Sequence, residues 1–386
     1  VVLQVLPALN DGGVEQSAVE MALYLKARKW AVSVASAGGR KEATLERHGI
    51  THHKLRLNSK NPVVILANAV RLVGIVKKEG VTLLHARSRA PAWSAWLAAK
   101  LCGAAFVTTF HGTYGLNGGP LKRFYNSVML RGPIAIANSQ FIKAHIVENY
   151  GYPADKIVVA PRGIEPGMWD ATKFDENERE VVRREIGVEE DVPLIMMVGR
   201  LTRWKGHELL LHALAQVKDK KWVAAFAGGG DARDPYVLEL GKLTAALGLS
   251  ERVRWLGSRQ DVPRLLSAAN LAISASVKAE AFGRVAVEAM AMGVPVVATA
   301  LGGSRETVVD GKTGWLVQPT AKAGSALHFG EFTPQAMAEK IAGALRNPKR
   351  LATMGQAARK HVLQNFTVEQ CCTQELLAYK RVLGMR

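Results

Sequence analysis

Short apolar runs alternate with helix-length amphipathic segments from one end of this 386-residue chain to the other, and no other feature restricts the fold as much. The runs "VVLQVL", "AVSVAS", "VTLLHA", "AFVTTF" and "IAIAN" come first; "PLIMMVG", "WVAAFAGGG", "RVRWLG", "LAISAS" and "PVVATA" follow. Strands of this kind, apolar on both faces, must be covered on both faces, which a parallel sheet flanked by crossover helices achieves. The stretch "APRGIEPGMWDATKFDENERE", from about Ala160 to Glu180, breaks the alternation with proline, glycine and acidic residues and reads as a linker. At 48% hydrophobic residues the chain can bury two cores. The expected architecture is therefore α/β, with two doubly wound Rossmann-like domains over residues 1–170 and 171–365. After Thr333 the pattern turns helical, and residues 366–386 form a last helix expected to pack back on the first domain.

Ligands of open α/β sheets bind beyond the carboxyl ends of the strands, so the post-strand loops of both domains should line a shared central cleft. The formal net charge of +18 predicts attraction to polyanions such as anionic lipid or phosphorylated substrates. Residues 1–170 carry 21 Lys and Arg against 10 Asp and Glu, so the excess is concentrated there. No apolar run reaches the roughly 18 residues of a membrane span, and the apolar start lacks a basic leader, so a soluble, cytoplasmic protein is expected. The three cysteines, Cys102, Cys371 and Cys372, suit a reducing compartment and show no metal-ligand spacing.

The loops carry the chemistry. "PALNDGGVEQ" sets Gly12 and Gly13 where a loop enters a helix, so that bare backbone and helix-terminal N–H groups could meet an anion, although a plain turn would look the same. "FVTTFHGTYG" puts His111 directly after a strand, placed to bond a substrate hydroxyl or a developing charge. His85 in "LLHARSRAP" has a similar place, with Arg87 and Arg89 beyond it as ligands for an anionic acceptor. "MMVGRLTRWKGHELL" supplies Arg200 and Lys205 around a loop that opens a helix near His207, a layout suited to a diphosphate, with Arg203 as a lesser candidate. The contiguous glycines of "FAGGGD" lack dinucleotide spacing and read as a tight turn.

In "EAFGRVAVEAMAMGVPVVAT", Glu280 precedes Gly283 and Arg284 at a helix start, and Glu288 follows about a turn later. Eight residues at helical rise span roughly 12 Å, too far for both acids to hold one ring but suited to an elongated ligand. Each carboxylate only accepts hydrogen bonds, so the hydroxyl-bearing ends of that ligand belong at the acids, and an anionic middle belongs at the cations and free amides.

Taken together, "NDGGVEQ", "TTFHG", "VGRLTRWKG", "FAGGG", the Glu280–Glu288 segment and "GGSRETVVDGKTGWLV" resemble the retaining glycosyltransferases of family 4, which have the GT-B fold. The segments run in the family's order over most of the chain. "HARSRAPAWSAWLAAK" with "TTFHGTYG" further resembles the branch that builds lipopolysaccharide or related surface polysaccharide. The resemblance implies a nucleotide-sugar donor, UDP- or GDP-linked, and a glycan or lipid-linked acceptor held by the first domain. It implies that Glu280 holds hydroxyls of the donor sugar, Glu288 the ribose, and Arg200 and Lys205 the diphosphate. Gly13 and the amides around Phe282, Gly283, Arg284 and Val285 would line the donor, with His111 beside the sugar. No cofactor or metal is implied, in keeping with the lack of an Asp-x-Asp motif. One departure is Ala281, where the family commonly has glycine, so that the sugar's identity does not carry over.

Two stretches bear on a membrane surface. "GPLKRFYNSVMLRG" interleaves Lys122, Arg123 and Arg131 with large apolar residues, as either a bilayer-docking segment or an ordinary amphipathic helix. "NPVVILANAVRLVGIVKKEG", with Lys77 and Lys78, reads as a helix packed on its sheet. A nicotinamide oxidoreductase would need spaced glycines and a ribose-binding acid that are missing, and no aromatic-basic nucleic-acid motif is present. A sugar-nucleotide epimerase, a phosphorylase or a non-catalytic polyanion binder remain as alternatives.

Overall fold

The computed structural model describes residues 1–386 except 11, 116–118, 219–220, 232, 321–328 and 386. The chain forms two compact units, one of residues 1–162 and 368–386 and the other of residues 163–367. The chain thus leaves the first unit within the Pro- and Gly-rich stretch and returns to it just before the last helix.

In the first unit the order is β1 (Val2–Val5), α1 (Gly13–Ala27), β2 (Val32–Ser36), α2 (Glu42–Arg47), β3 (Thr51–Lys54), α3 (Pro62–Glu79), β4 (Leu83–Ala86), α4 (Arg89–Cys102), β5 (Ala105–Phe110), α5 (Gly119–Ser127), β6 (Ile134–Ala137), α6 (Gln140–Tyr150) and β7 (Ile157–Val159). Its parallel sheet runs β3-β2-β1-β4-β5-β6-β7. The second unit has α7 (Glu176–Ile186), β8 (Leu194–Val198), α8 (His207–Leu214), β9 (Val223–Ala227), α9 (Pro235–Ala246), β10 (Val253–Gly257), α10 (Val262–Ser267), β11 (Leu271–Ser274), α11 (Arg284–Ala291), β12 (Val296–Thr299), α12 (Ser304–Thr307), β13 (Gly314–Val317), α13 (Pro334–Leu345) and α14 (Pro348–Asn365). Its sheet, also parallel, runs β10-β9-β8-β11-β12-β13. The last helix, α15 (Val368–Leu383), packs in the first unit, where Cys371, Cys372, Ala378 and Tyr379 share a core with Val2, Leu83, Val107 and Ile136.

Each expected apolar run is a strand, and β1, β4, β6, β9, β11 and β12 are buried along their whole length, as two-sided cover requires. The sequence reading overlooked β3, β7 and β13, all at sheet edges. β3 is "THHK", with no apolar run at all, because an edge strand needs little apolar surface. In both sheets the order reverses beside the first strand, between β1 and β4 and between β8 and β11. Loops leaving those strands splay apart there and open the crevice in which such sheets bind ligands.

The helix α3 departs from the reading as an ordinary sheet-packed helix. Asn68, Leu72 and Val76 face inward, but Val63, Leu66 and Val70, at i, i+3 and i+7, are 57–73% exposed. Its start is fixed by Asn61, whose side chain accepts from the Val63 amide, and by Pro62 in the first turn.

Candidate functional site

The loops that follow β8 and β11, at the switch point of the second sheet, carry the predicted donor residues. Gly206, in the left-handed region (φ 78°), ends the turn Arg203–Lys205, and a Cβ there would lie 1.9 Å from the Ala275 carbonyl oxygen. Trp204 O accepts from the Val277 amide at 2.8 Å. The β8 loop is thereby pressed against the β11 loop, and Lys205 Nζ reaches Glu280 Oε1 at 2.7 Å. Ser276 Oγ donates to the same oxygen at 2.5 Å. The Lys205 and Glu280 side chains are only 13% and 12% exposed, so each ion has given up most of its water to the other. Arg200, just after the left-handed Gly199, is exposed, and no carboxylate among the described residues pairs with it. Arg203 is held instead by Glu208 and Glu239, at 3.1 and 2.6 Å, over the Tyr236 ring.

Gly283 caps α11 at φ 85°, a conformation that explains glycine at this position without any ligand. The amides of Arg284 and Val285, in the first turn, lack intrahelical acceptors. Arg284 Nε donates to Glu288 Oε1 at 2.7 Å, one turn along the helix. The two glutamates thus each bind a cation of their own, Lys205 and Arg284. Phe282 is buried, with its ring edge against Phe366. Ala281 takes no left-handed backbone, so alanine sits there unstrained.

The loop after β12 closes over this segment. Gly303 N donates to Glu280 O at 2.9 Å, and a Cβ at Gly303 would lie 2.4 Å from Phe282 Cα. Beside Glu280 a hollow of about 290 Å³ is lined by Val277, Lys278, Ala279, Leu301, Gly330 and Phe332. Gly228 meets the β8 loop in the same way: its Cβ would lie 1.7 Å from Gly199 O.

In the first unit Gly12 is extended, and Gly13, the first residue of α1, faces open space where a Cβ would stand, so no neighbour there demands glycine. His111 follows β5; its Nδ1 lies 2.6 Å from Arg162 Nη2, and its Nε2 is buried with no partner among the described residues. Burial, then the nearby charges of Arg162 and Arg87, push its pKa well below the usual histidine value, so the ring is neutral.

The expected acceptor role of Arg87 is overturned. Its guanidinium is fully buried and donates to Gln4 Oε1 (2.7 Å), Ser17 Oγ (2.8 Å) and both oxygens of Glu375 (3.1 and 2.5 Å), which leaves no face for a ligand. His85, likewise buried, is held at both ring nitrogens, by Tyr379 Oη at 2.6 Å and Thr109 Oγ1 at 2.7 Å. The reason is α15: it lays Glu375 and Tyr379 over the ends of β1 and β4, whose register sets Gln4 beside His85. Arg89 donates to Asn126 Oδ1 at 2.9 Å and lies over the Tyr114 ring, while Lys122 and Arg123 stand on α5 beside the 58%-exposed Phe124.

Reading the sequence missed Ser276, Arg162 and Glu375. Ser276 is four residues before Glu280 and could have been weighed with it; the other two have no local signal, since their partners lie 51 and 288 residues away.

Comparison with known proteins agrees with this fold. Residues 178–361 match the glycosyl transferases group 1 family, and residues 11–167 match glycosyltransferase family 4. A D-inositol 3-phosphate glycosyltransferase of Corynebacterium aurimucosum is 30% identical over 247 residues, 62% of this chain and 55% of that protein. The chain spans about half the length of the curated relatives it matches. Among solved structures, a glycosyltransferase from Rickettsia africae is 36% identical, with a TM-score of 0.89 over 99% of this chain and 98% of that one. HepE of Anabaena, solved in complex with UDP, is 25% identical, with a TM-score of 0.84 over 98% and 99%. With both sheets, their switch-point loops and a structural relative matched over nearly its whole length, the chain belongs to the glycosyltransferases of family 4, with the GT-B fold.

Proposed function

We propose that the protein is a retaining hexosyltransferase that moves a sugar from a UDP- or GDP-linked donor to a hydroxyl of a lipopolysaccharide-core or other lipid-linked glycan acceptor, without a metal. The carrying observation is the Lys205–Glu280–Ser276 cluster beside the exposed cation Arg200 and the open first turn of α11. A bound diphosphate draws Lys205 and Arg200 to its oxygens, and Glu280, released from Lys205, accepts hydrogen bonds from sugar hydroxyls. Glu288 holds the ribose. No carboxylate is assigned as a nucleophile, so transfer proceeds on one face of the sugar: the C–O bond to the diphosphate breaks, the acceptor oxygen bonds the anomeric carbon, and the diphosphate takes the acceptor's proton. Cations and amides supply the charge stabilisation that a metal supplies elsewhere.

Among the described residues no helix is long and apolar enough to cross a membrane. Leu121 and Phe124, exposed on α5, flank Lys122 and Arg123, and Val63, Leu66 and Val70 are exposed on α3 of the same basic unit; we assign these residues to the cytoplasmic face of an anionic bilayer. The test is a panel of UDP-, GDP- and ADP-sugars scored by thermal stabilisation and by turnover in EDTA with a lipid-linked glycan. The true donor at 100 times its Kd adds about 2.7 kcal/mol of stability. Turnover that needs no second sugar points to an epimerase, and transfer to inositol phosphate alone removes the lipid-linked acceptor. Co-sedimentation with vesicles that ignores lipid charge and salt removes the membrane assignment.

A further inference from the structure

Arginine has no lone pair to accept with, so in the 2.6 Å contact between Arg162 Nη2 and His111 Nδ1 the guanidinium is the donor and Nδ1 the acceptor. A neutral imidazole that accepts at Nδ1 carries its proton on Nε2. That atom is buried and has no acceptor among the described residues. A buried donor left unmet costs about 1–3 kcal/mol, which is why such atoms are rare and why this one calls for a partner. Both residues follow strands of the same sheet, His111 after β5 and Arg162 after β7, with β6 between.

We propose that Arg162 is the positioning residue of His111: it fixes the imidazole as the Nε2–H tautomer, so that the ring serves as a neutral hydrogen-bond donor to an oxygen of a bound sugar. This rests on the reading of His111 as the sugar-facing residue of the transferase site. His111 accordingly does not enter the reaction as a cation or as a base; it offers a fixed dipole. Every charged or titratable group around it favours that state. Arg162, Arg87 and His85 all oppose a second proton on the ring, and His85 is itself kept neutral by burial and by Arg87. The carboxylates nearby are engaged with the arginines rather than with the imidazole: Glu375 binds Arg87, and Glu375 and Glu20 bear on Arg162. Burial weakens the Arg162 cation's hold on its own proton, yet arginine remains charged at any working pH.

The experiment is histidine nitrogen NMR on the full chain labelled with 15N-histidine, with His111 assigned from the spectrum of His111→Gln. The wild type should show one tautomer, protonated at Nε2, neutral from pH 5 to 8. In Arg162→Met the proton affinity of His111 should rise at least about tenfold, a pKa shift of one unit or more, and the tautomers should mix, while Arg162→Lys, which still donates, should restore the single form. UDP-glucose, but not UDP, should move the Nε2 resonance in the wild type. Thermal melting separates these effects from misfolding, and Arg162→Lys remains informative if Arg162→Met does not fold. An unchanged tautomer and titration in both variants overturns the positioning role. A tautomer that depends on Arg162 with no response of Nε2 to UDP-, GDP- or ADP-glucose overturns the sugar contact. Loss of nucleotide-sugar stabilisation in Lys205→Ala would still support the donor site, so the two failures are distinguishable.

Discussion

Lys205 and Glu280 are each other's counter-ion, at 2.7 Å and nearly out of water. In the proposed reading such a pair is a poised contact: the ammonium and the carboxylate are already desolvated, and a ligand with an anionic middle and a polyol end would replace each partner with a better one. Removing either residue takes away a charged contact of about 1.5–3 kcal/mol. Lys205→Ala and Glu280→Ala should each lower nucleotide-sugar turnover about tenfold or more, as measured by release of the nucleoside diphosphate. Arg203, two residues from Lys205, is bound by Glu208 and Glu239, and its replacement should leave turnover nearly unchanged. Arg200, Arg203 and Lys205 are all basic residues of one short loop. In the proposed reading Arg200 and Lys205 serve the donor, because Arg200 has no carboxylate partner among the described residues and the partner of Lys205 is itself a proposed donor ligand.

At the scale of elements, α15 is fastened to the first sheet by a buried polar bolt. Arg87 and Glu375 meet at two points, Gln4 joins Arg87 to Tyr379, and Tyr379 reaches His85. Breaking a buried pair from one side strands a charge, at a cost of about 3–5 kcal/mol. Glu375→Ala should therefore lower the denaturation midpoint strongly, while Glu375→Gln, which still accepts from Arg87, should cost less. Denaturant titration followed by far-UV circular dichroism decides between these outcomes. The loops of the second unit are fixed by a different device. Gly206, Gly228 and Gly303 allow backbone to touch backbone, and in each case a Cβ would fall inside 2.5 Å of a neighbouring main-chain atom. Gly302 and Gly303 of "GGSRE" and Gly228 of "FAGGG" are needed for packing between loops, whatever they also offer to a ligand.

At the scale of the whole molecule, burial is the first cause of a lowered pKa for six histidines among the described residues: His85 and His111 fall well below the usual value, His207 to about 4, and His52, His145 and His361 are also lowered. In the unfolded chain each takes a proton near pH 6.5, so below that value the unfolded state binds more protons than the native one. Stability is therefore full above pH 6.5 and falls as the pH drops, by up to about 1.4 kcal/mol per unit for each group, until the folded values are passed. Urea denaturation at pH 7 and pH 5 should show the midpoint falling, and His207→Phe should reduce the slope. A midpoint that holds constant over that interval would contradict neutral burial of these rings.

Reading the sequence reached both parallel sheets and the loops that matter, because two-sided burial writes itself into local composition: a strand covered on both faces must be apolar all along. It reached Lys205 and Glu280 for the same reason, since each stands in the loop that follows such a strand. It did not reach the edge strands β3, β7 and β13: β3 has no apolar run, and β7 and β13 are only three and four residues long. Nor could it tell Arg87 from Arg200, two arginines in the same position just past a strand. That difference was made by α15, which brings Glu375 to Arg87 from 288 residues away and brings nothing to Arg200. Local pattern determined where charge is presented; only the folded chain decided which charges are spent on the protein itself, because an ion pair depends on distance in space and a sequence records distance along the chain.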